Sequence, residues 1–283
     1  MLNRRWTECW SCHDMGADGR KIKVVIIGCG NIGTELAYYL IKEKHFQLAA
    51  LVDCDARNFF SLSKKLHRNF PLTTIAESIE KADLIIEAAN KDVVKEIFGS
   101  PKLDKKGKHL LVMSTGGLIE NSRLLKKIKH CQIHIPSGAI AGLDAVKAAS
   151  GKIEFLSLTT TKAASSLMHA PFVVKNKITL DEISSSRKIF EGNIKDAIRG
   201  FPQNINVAAS LFLASTFRRI KISIIADPHT KYNTHEIICR GSFGEINTVT
   251  KNLPSRNPKT SYMAILSPIA VLKNINANIS IGN

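Results

Sequence analysis

The stretch "ADPHTKYNTHE", residues 226–236, gathers Asp227, Pro228, His229, Asn233 and His235 directly after the strand-like run "RIKISII". A polar cluster at the mouth of a strand is either a surface turn or a loop that does chemistry. Histidine is the side chain whose ordinary pKa lies nearest neutrality, so it can take up and return a proton during turnover. A second chemical signature lies near the start. "GCGNIG" sets Gly28, Gly30 and Gly33 in a G-x-G-x-x-G, with Asn31 and Ile32 inside it. The first glycine permits a tight turn and the second lets the backbone approach a pyrophosphate. The third lets the following helix pack on the strand, and that helix's N-terminus receives the negative charge. Asp53 stands where a carboxylate accepts the ribose hydroxyls of NAD and repels the 2′-phosphate of NADP. Arg57, four positions on, tempers that preference, so NAD is the expected cofactor and NADP the second candidate.

These residues need elements to hold them. "KIKVVIIG", residues 21–28, is a continuous β-branched run, as in a parallel strand buried on both faces. "CGNIGTELAYYLIKE" carries a helical apolar stripe. "QLAALVDCD", "SIEKADLIIEAAN" and "KHLLVMSTGGL" supply further strands, with helical "NFFSLSKKLHRNF" and "KDVVKEIFGS" between them. Strand–helix alternation of this kind predicts a doubly wound α/β domain over residues 21–130. Ligands bind at the carboxyl ends of such strands, which nominates Ala88, Ala89, Ser114, Thr115 and Gly116 as cofactor-lining positions.

Beyond residue 130 the pattern changes. "KIEFLSLTTTKAA", "FVVKNKI", "INVAASLFLAS", "RIKISIIADP" and "HEIICRGSFGEINTVTKNL" read as longer, alternating β-type runs with one intervening helix. They predict a second α+β domain on a mixed sheet over 131–255. "KTSYMAILSPIAVLKNI" is a helical segment within 256–283 that docks back on the first domain, kinked or divided at Pro268.

The bulk numbers fit a globular protein of two domains: 283 residues, 44% hydrophobic and 23% charged. No apolar run is long enough for a transmembrane helix. Residues 1–20 lack the apolar core of a secretory signal and read as a tail, so a cytoplasmic location is expected. The net charge of +16 is spread along the chain, which argues against nucleic acid as a partner and suits anionic small molecules. Six scattered cysteines suggest no disulfide framework. "CWSCH", Cys9 to His13, matches a haem-attachment pattern, but it sits in the tail with no export signal. No metal site is expected.

A Rossmann domain names a cofactor and leaves the substrate open. On the residues alone, a dehydrogenase of some small amino or keto acid and a non-enzymatic dinucleotide-binding protein both stand. Four strings narrow this: "IPSGAIAGLDA", "FPQNINVAAS", "IIADPHTKYNTHEI" and "NPKTSY", in that order after "VVIIGCGNIG". Together they resemble the L-aspartate dehydrogenase family, from about residue 21 to about residue 275. The resemblance implies oxidative deamination of L-aspartate with NAD(P), giving iminoaspartate or oxaloacetate and ammonia. It also implies a product that feeds NAD biosynthesis in some organisms, and a homodimer formed through the second domain. It puts the active-site histidine at His235 and cofactor contacts at Ala139 and Asn206. Asp227 and Pro228 would shape the loop and Asn233 orient it, while His229 falls outside the pattern. The family's "T-x-K-P-P" reads "TTTKAASSL" here, so Lys162 is kept without its prolines. The substrate's two carboxylates need cations or amides, for which Lys162, Lys259, Asn233 and the backbone of Ser137, Gly138 and Ala139 are candidates.

Overall fold

The computed structural model describes residues 20–202, 205–255, 260–275 and 277–279. Two five-stranded sheets organise it. The first domain runs β1 (Ile22–Ile27), α1 (Asn31–Leu40), β2 (Phe46–Val52), α2 (Ala56–Lys65), α3 (Ile75–Lys81), β3 (Leu84–Glu87), α4 (Lys91–Gly99), β4 (His109–Val112), α5 (Thr115–Glu120), α6 (Ser122–Leu125) and β5 (Gln132–His134). All its strands are parallel, in the order β2-β1-β3-β4-β5. The continuous apolar runs are explained by burial on two faces. Val24, Ile26, Leu84 and Ile86 pack on the α1 side, while Val25, Ile27, Ile85 and Val112 pack on the α4 side. Caps set where the helices begin. Asn90 accepts from the N–H groups of Asp92 and Val93 at the head of α4, and Thr74 with Glu77 forms a capping box on α3.

The second domain contains α7 (Leu143–Ala148), β6 (Ile153–Ala163), α8 (Ala164–Leu167), α9 (Pro171–Lys175), β7 (Arg187–Gly192), α10 (Ile194–Gly200), α11 (Asn206–Ser215), β8 (Lys221–Asp227), β9 (Asn233–Gly241) and β10 (Gly244–Asn252). Its sheet order is β10-β9-β6-β8-β7, mixed because β6 and β8 alone run parallel. The fold class is therefore the one expected from the sequence. Three local readings change. "FVVKNKI" opens with helix α9, not a strand, because Pro171 at its first position starts a helix and Phe172 and Val173 bury on the Phe190–Phe201 cluster. The polar exit "STGGL" is the first turn of α5. "RKIFEG" forms edge strand β7 and "IKDAIRG" forms α10, neither of which the apolar pattern announced.

The last helix, α12 (Met263–Ile275), contains Pro268 and is not divided by it. Its Leu272 joins the apolar cluster of α1 residues Leu36 and Leu40, so the C-terminal segment packs on the first domain. Among the described residues no helix is long and apolar enough to cross a membrane. The described cysteines are all free. Cys9, Cys12, His13 and Lys259 lie outside the described residues.

Candidate active site

The edge of the first sheet is built largely from backbone. Gly28 has φ +106, and a Cβ there would lie 2.6 Å from the Ala88 carbonyl. At Gly33 a Cβ would lie 1.9 Å from the Gly28 oxygen, so only glycine lets α1 approach β1 this closely. Gly30 is different: a Cβ there meets nothing within 4 Å, so that flank is open to a ligand. Open space at the head of α1 and bare N–H groups suit a pyrophosphate. At the tip of β2, Asp53 accepts from the backbone of Cys29 at 2.7 Å and of Asp55 at 2.8 Å, which fixes its carboxylate beside the glycine turn. Arg57 is engaged elsewhere, forked onto Asp55 at 2.8–3.2 Å in an exposed pair. These residues fit a nicotinamide dinucleotide, whose pyrophosphate Gly28, Gly30 and Gly33 would receive and whose adenosine ribose Asp53 would meet.

Glu87 has no place in the sequence reading, although "EAAN" begins with it. It is fully buried at the end of β3. Its carboxylate accepts from the Ser114 N–H and hydroxyl, both at 2.8 Å, and from the Ala89 N–H at 2.9 Å. Burial pushes its pKa up against the pull of those donors. Glu87 thus ties the Ala88–Ala89 turn to the head of α5. From there the link crosses to the second domain: the Thr115 hydroxyl donates to the Asn206 carbonyl at 2.7 Å, and the Asn206 side chain accepts from Gly116 N–H at 3.4 Å.

On the far side of that link lies a pocket of about 100 Å³ lined by Ile32, Thr115, Asn206, Lys162 and His235. Gly138 and Ala139 close one side, and Thr260 and Ser261 another. Its chemistry stands on one face of the mixed sheet. Thr160 pairs across β6 and β9 with His235, and Thr161 with Thr234, so alternation brings Thr160, Lys162, Asn233 and His235 to the same side. On β10, Thr250 lies opposite His235 and Asn252 opposite Asn233. Thr160, Lys162, Asn233, His235 and Asn252 are all at most 5% exposed. Asn252 Nδ2 donates to the carbonyls of Ala139 at 2.9 Å and Asn233 at 3.3 Å, and the Thr250 hydroxyl donates to Ala139 at 2.8 Å. Ala139 is therefore held from the sheet by its carbonyl. Asn233 Nδ2 is buried without a hydrogen-bond partner, a donor left for something bound.

Burial pushes the Lys162 amine down to about 8. Burial, reinforced by the nearby Lys162, pushes His235 down to about 3. Both therefore favour their neutral forms far more than in water.

The two histidines of the opening stretch part company. His235 points from β9 into the pocket. His229 is outside it, with Nε2 3.0 Å from the Ser184 carbonyl. Asp227 shapes the intervening turn by accepting from the N–H groups of His229 and Thr230 and from the Ser186 hydroxyl. Asn31 ties α1 to the segment after β10 through Ser255 at 3.0 Å. Gly138 N–H donates to Ser267 at 3.0 Å, while Ser137 is half-buried beside the pocket wall. Thr160, Thr250 and Asn252 were missed because polar residues at alternate strand positions ordinarily mark the solvent face.

Comparison with known proteins agrees with this architecture. Residues 28–135 match the family described as "Homoserine dehydrogenase, NAD binding domain", and residues 144–275 match "Aspartate dehydrogenase, C-terminal". The L-aspartate dehydrogenase of Methanocella arvoryzae is 38% identical over 269 residues, covering 92% of this chain and 99% of its own. That of Bradyrhizobium diazoefficiens is 35% identical, covering 99% of this chain and all of its own. The crystal structure of aspartate dehydrogenase from Thermotoga maritima shares the fold, with a TM-score of 0.69, 22% identity and coverage of 93% of this chain and 100% of that one. By these two family matches and by relatives of this identity and coverage, this chain belongs to the L-aspartate dehydrogenase family.

Proposed function

We propose that the protein catalyses NAD-dependent oxidative deamination of L-aspartate, giving iminoaspartate and, on hydrolysis, oxaloacetate and ammonia. The observation that carries this reading is the buried pair of Lys162 and His235 lining a small pocket beside Thr115 and Asn206, with buried Asn233 on the same face of the sheet. When bound, the nicotinamide accepts the hydride from the substrate's α-carbon. The chain's own residues do the rest. The unpartnered Asn233 amide provides a donor for a carboxylate, and buried Lys162, which gives up its proton more readily than in water, stands beside it on the same sheet face. Gly138 and Ala139 shape the wall opposite, and the buried site excludes water from the proton-transfer groups.

NAD is favoured over NADP because Asp53 is held at the ribose position while Arg57 is occupied by Asp55. Iminoaspartate release would supply NAD biosynthesis, and a homodimer through the second domain completes the reading. Purified protein given L-aspartate and NAD should produce NADH absorbance, and a panel of amino and keto acids should rank aspartate first. His235→Ala should lose most turnover with NAD binding kept. Turnover of another amino acid in preference to aspartate would refute the substrate, and an active His235→Ala protein would refute the site.

A further inference from the structure

Thr160 Oγ1 lies 3.0 Å from His235 Nδ1, in a pair buried to 5% and 2% exposure. Among the described residues, the Thr160 hydroxyl has no other hydrogen-bond partner. A hydroxyl has one proton to give and lone pairs to receive. If the imidazole donated through Nδ1–H, the hydroxyl proton would be stranded without an acceptor in a dry site, which is costly. If the hydroxyl donates to Nδ1, both atoms are satisfied and the ring proton sits on Nε2. The second arrangement therefore wins. His235 lines the pocket with Nδ1 turned to Thr160, so Nε2–H is the ring group available to a substrate. Its one lone pair is then consumed by Thr160. A ring in that state gives a hydrogen bond and does not take a proton.

The base must come from elsewhere in the same pocket. Of the described lining residues, the titratable side chains are Lys162 and His235. The strand neighbours that flank them are Ile224 and Ala226 on β8 and Thr250 and Asn252 on β10, none of which titrates. We propose that acid–base work is divided in this site. Lys162 exchanges the proton with the substrate's α-nitrogen, and His235, held by the positioning residue Thr160, acts as a neutral Nε2–H donor to the bound substrate. This rests on the aspartate reading above and refines it.

The step balances. The α-ammonium gives one proton to the neutral Lys162 Nζ. The freed nitrogen lone pair becomes the second C–N bond as the α-hydride leaves with its two electrons for the nicotinamide. Water then adds to the imine carbon and ammonia departs. The lowered affinity of Lys162 for its proton places its exchange near working pH, and the still lower affinity of His235 keeps that ring neutral.

Nitrogen-15 NMR of the full chain with labelled histidine should show His235 with its proton on Nε2 and no titration between about pH 6 and about pH 9. Thr160→Val should weaken that tautomer preference without unfolding the protein. Carbon-13 NMR of labelled lysine should show Lys162 titrating near 8. Lys162→Arg keeps a cation that cannot titrate in this range, so kcat should fall about 100-fold or more while aspartate binding stays within about threefold. His235→Gln, which retains an amide N–H donor, should keep more activity than His235→Ala. A proton on Nδ1, a Lys162 that titrates like a solvent lysine, or a Lys162→Arg protein of near-normal kcat would each overturn the proposal. The two NMR readouts are independent of turnover, so failure of the aspartate reading is distinguishable from failure of this one.

Discussion

The two sheets make their sites from different materials. The parallel sheet offers its edge: glycine turns, backbone N–H groups, helix heads and two carboxylates that tether them. The mixed sheet offers its face: side chains from β6, β9 and β10 arranged by register. An edge site fails when an atom is added, because the ligand and the packing need the missing Cβ. A face site fails when an atom is removed, because each buried polar group is another's partner.

Substitutions can test that contrast, starting with the largest effect. Gly33→Ala puts a Cβ 1.9 Å from a backbone oxygen, so α1 must move. It should cost about 4 kcal/mol or more and abolish NAD binding, read by urea unfolding and cofactor titration. Glu87→Gln swaps one carboxylate oxygen for an amide donor facing N–H and O–H groups. It should cost about 2 kcal/mol and raise the KM for NAD more than that for aspartate. Asp53→Ala should weaken NAD about tenfold and narrow the gap to NADP. Asn252→Ala removes one of the two donors to the Ala139 carbonyl and leaves the Thr250 hydroxyl as the other. It should cost about 1 kcal/mol, with turnover falling a few-fold and NAD affinity intact.

The pH dependence of stability should differ in sign between the regions. Glu87 is raised, so the folded state holds its proton more tightly than the unfolded chain. Its contribution falls as pH rises past the ordinary value of 4.5 toward the raised one. His235 and Lys162 are lowered, so the unfolded chain binds their protons more tightly. Stability from His235 is lost as pH falls from 6.5 to about 3, and from Lys162 as pH falls from 10.5 to about 8. Thermal melts of Glu87→Gln and His235→Gln against wild type across pH should diverge in opposite directions. Parallel curves would break the contrast.

The same difference explains what could be read in the chain beforehand. An edge site is local: Gly28, Gly30, Gly33 and Asp53 lie in one short stretch, and each spacing follows from a turn or a helix head. The face site is not local. Thr160 and His235 are 75 residues apart and meet only through register. The run "SLTTTK" around Thr160 looks the same whether its polar side meets water or a buried pocket. His235 was found through the string around it, and Lys162 through its place in a motif, whereas Thr160 and Asn252 carried no signal at all. Glu87 was hidden for another reason. A carboxylate at a strand end resembles a loop residue until its three donors are seen. Helix α9 was mistaken for a strand because Phe172, Val173 and Val174 favour extended backbone, and tertiary packing on Phe190 and Phe201 overrode that preference.

The chain's path has a mechanical consequence. It leaves the first domain after β5 and returns to it when α12 packs on α1. Two connections therefore join the domains, one between β5 and α7 and one between β10 and α12, and residues 138–139 and 260–261 from both line the pocket. A change in residues 138–139 or 260–261 is thus felt both in the pocket and in the passage of the chain from one domain to the other.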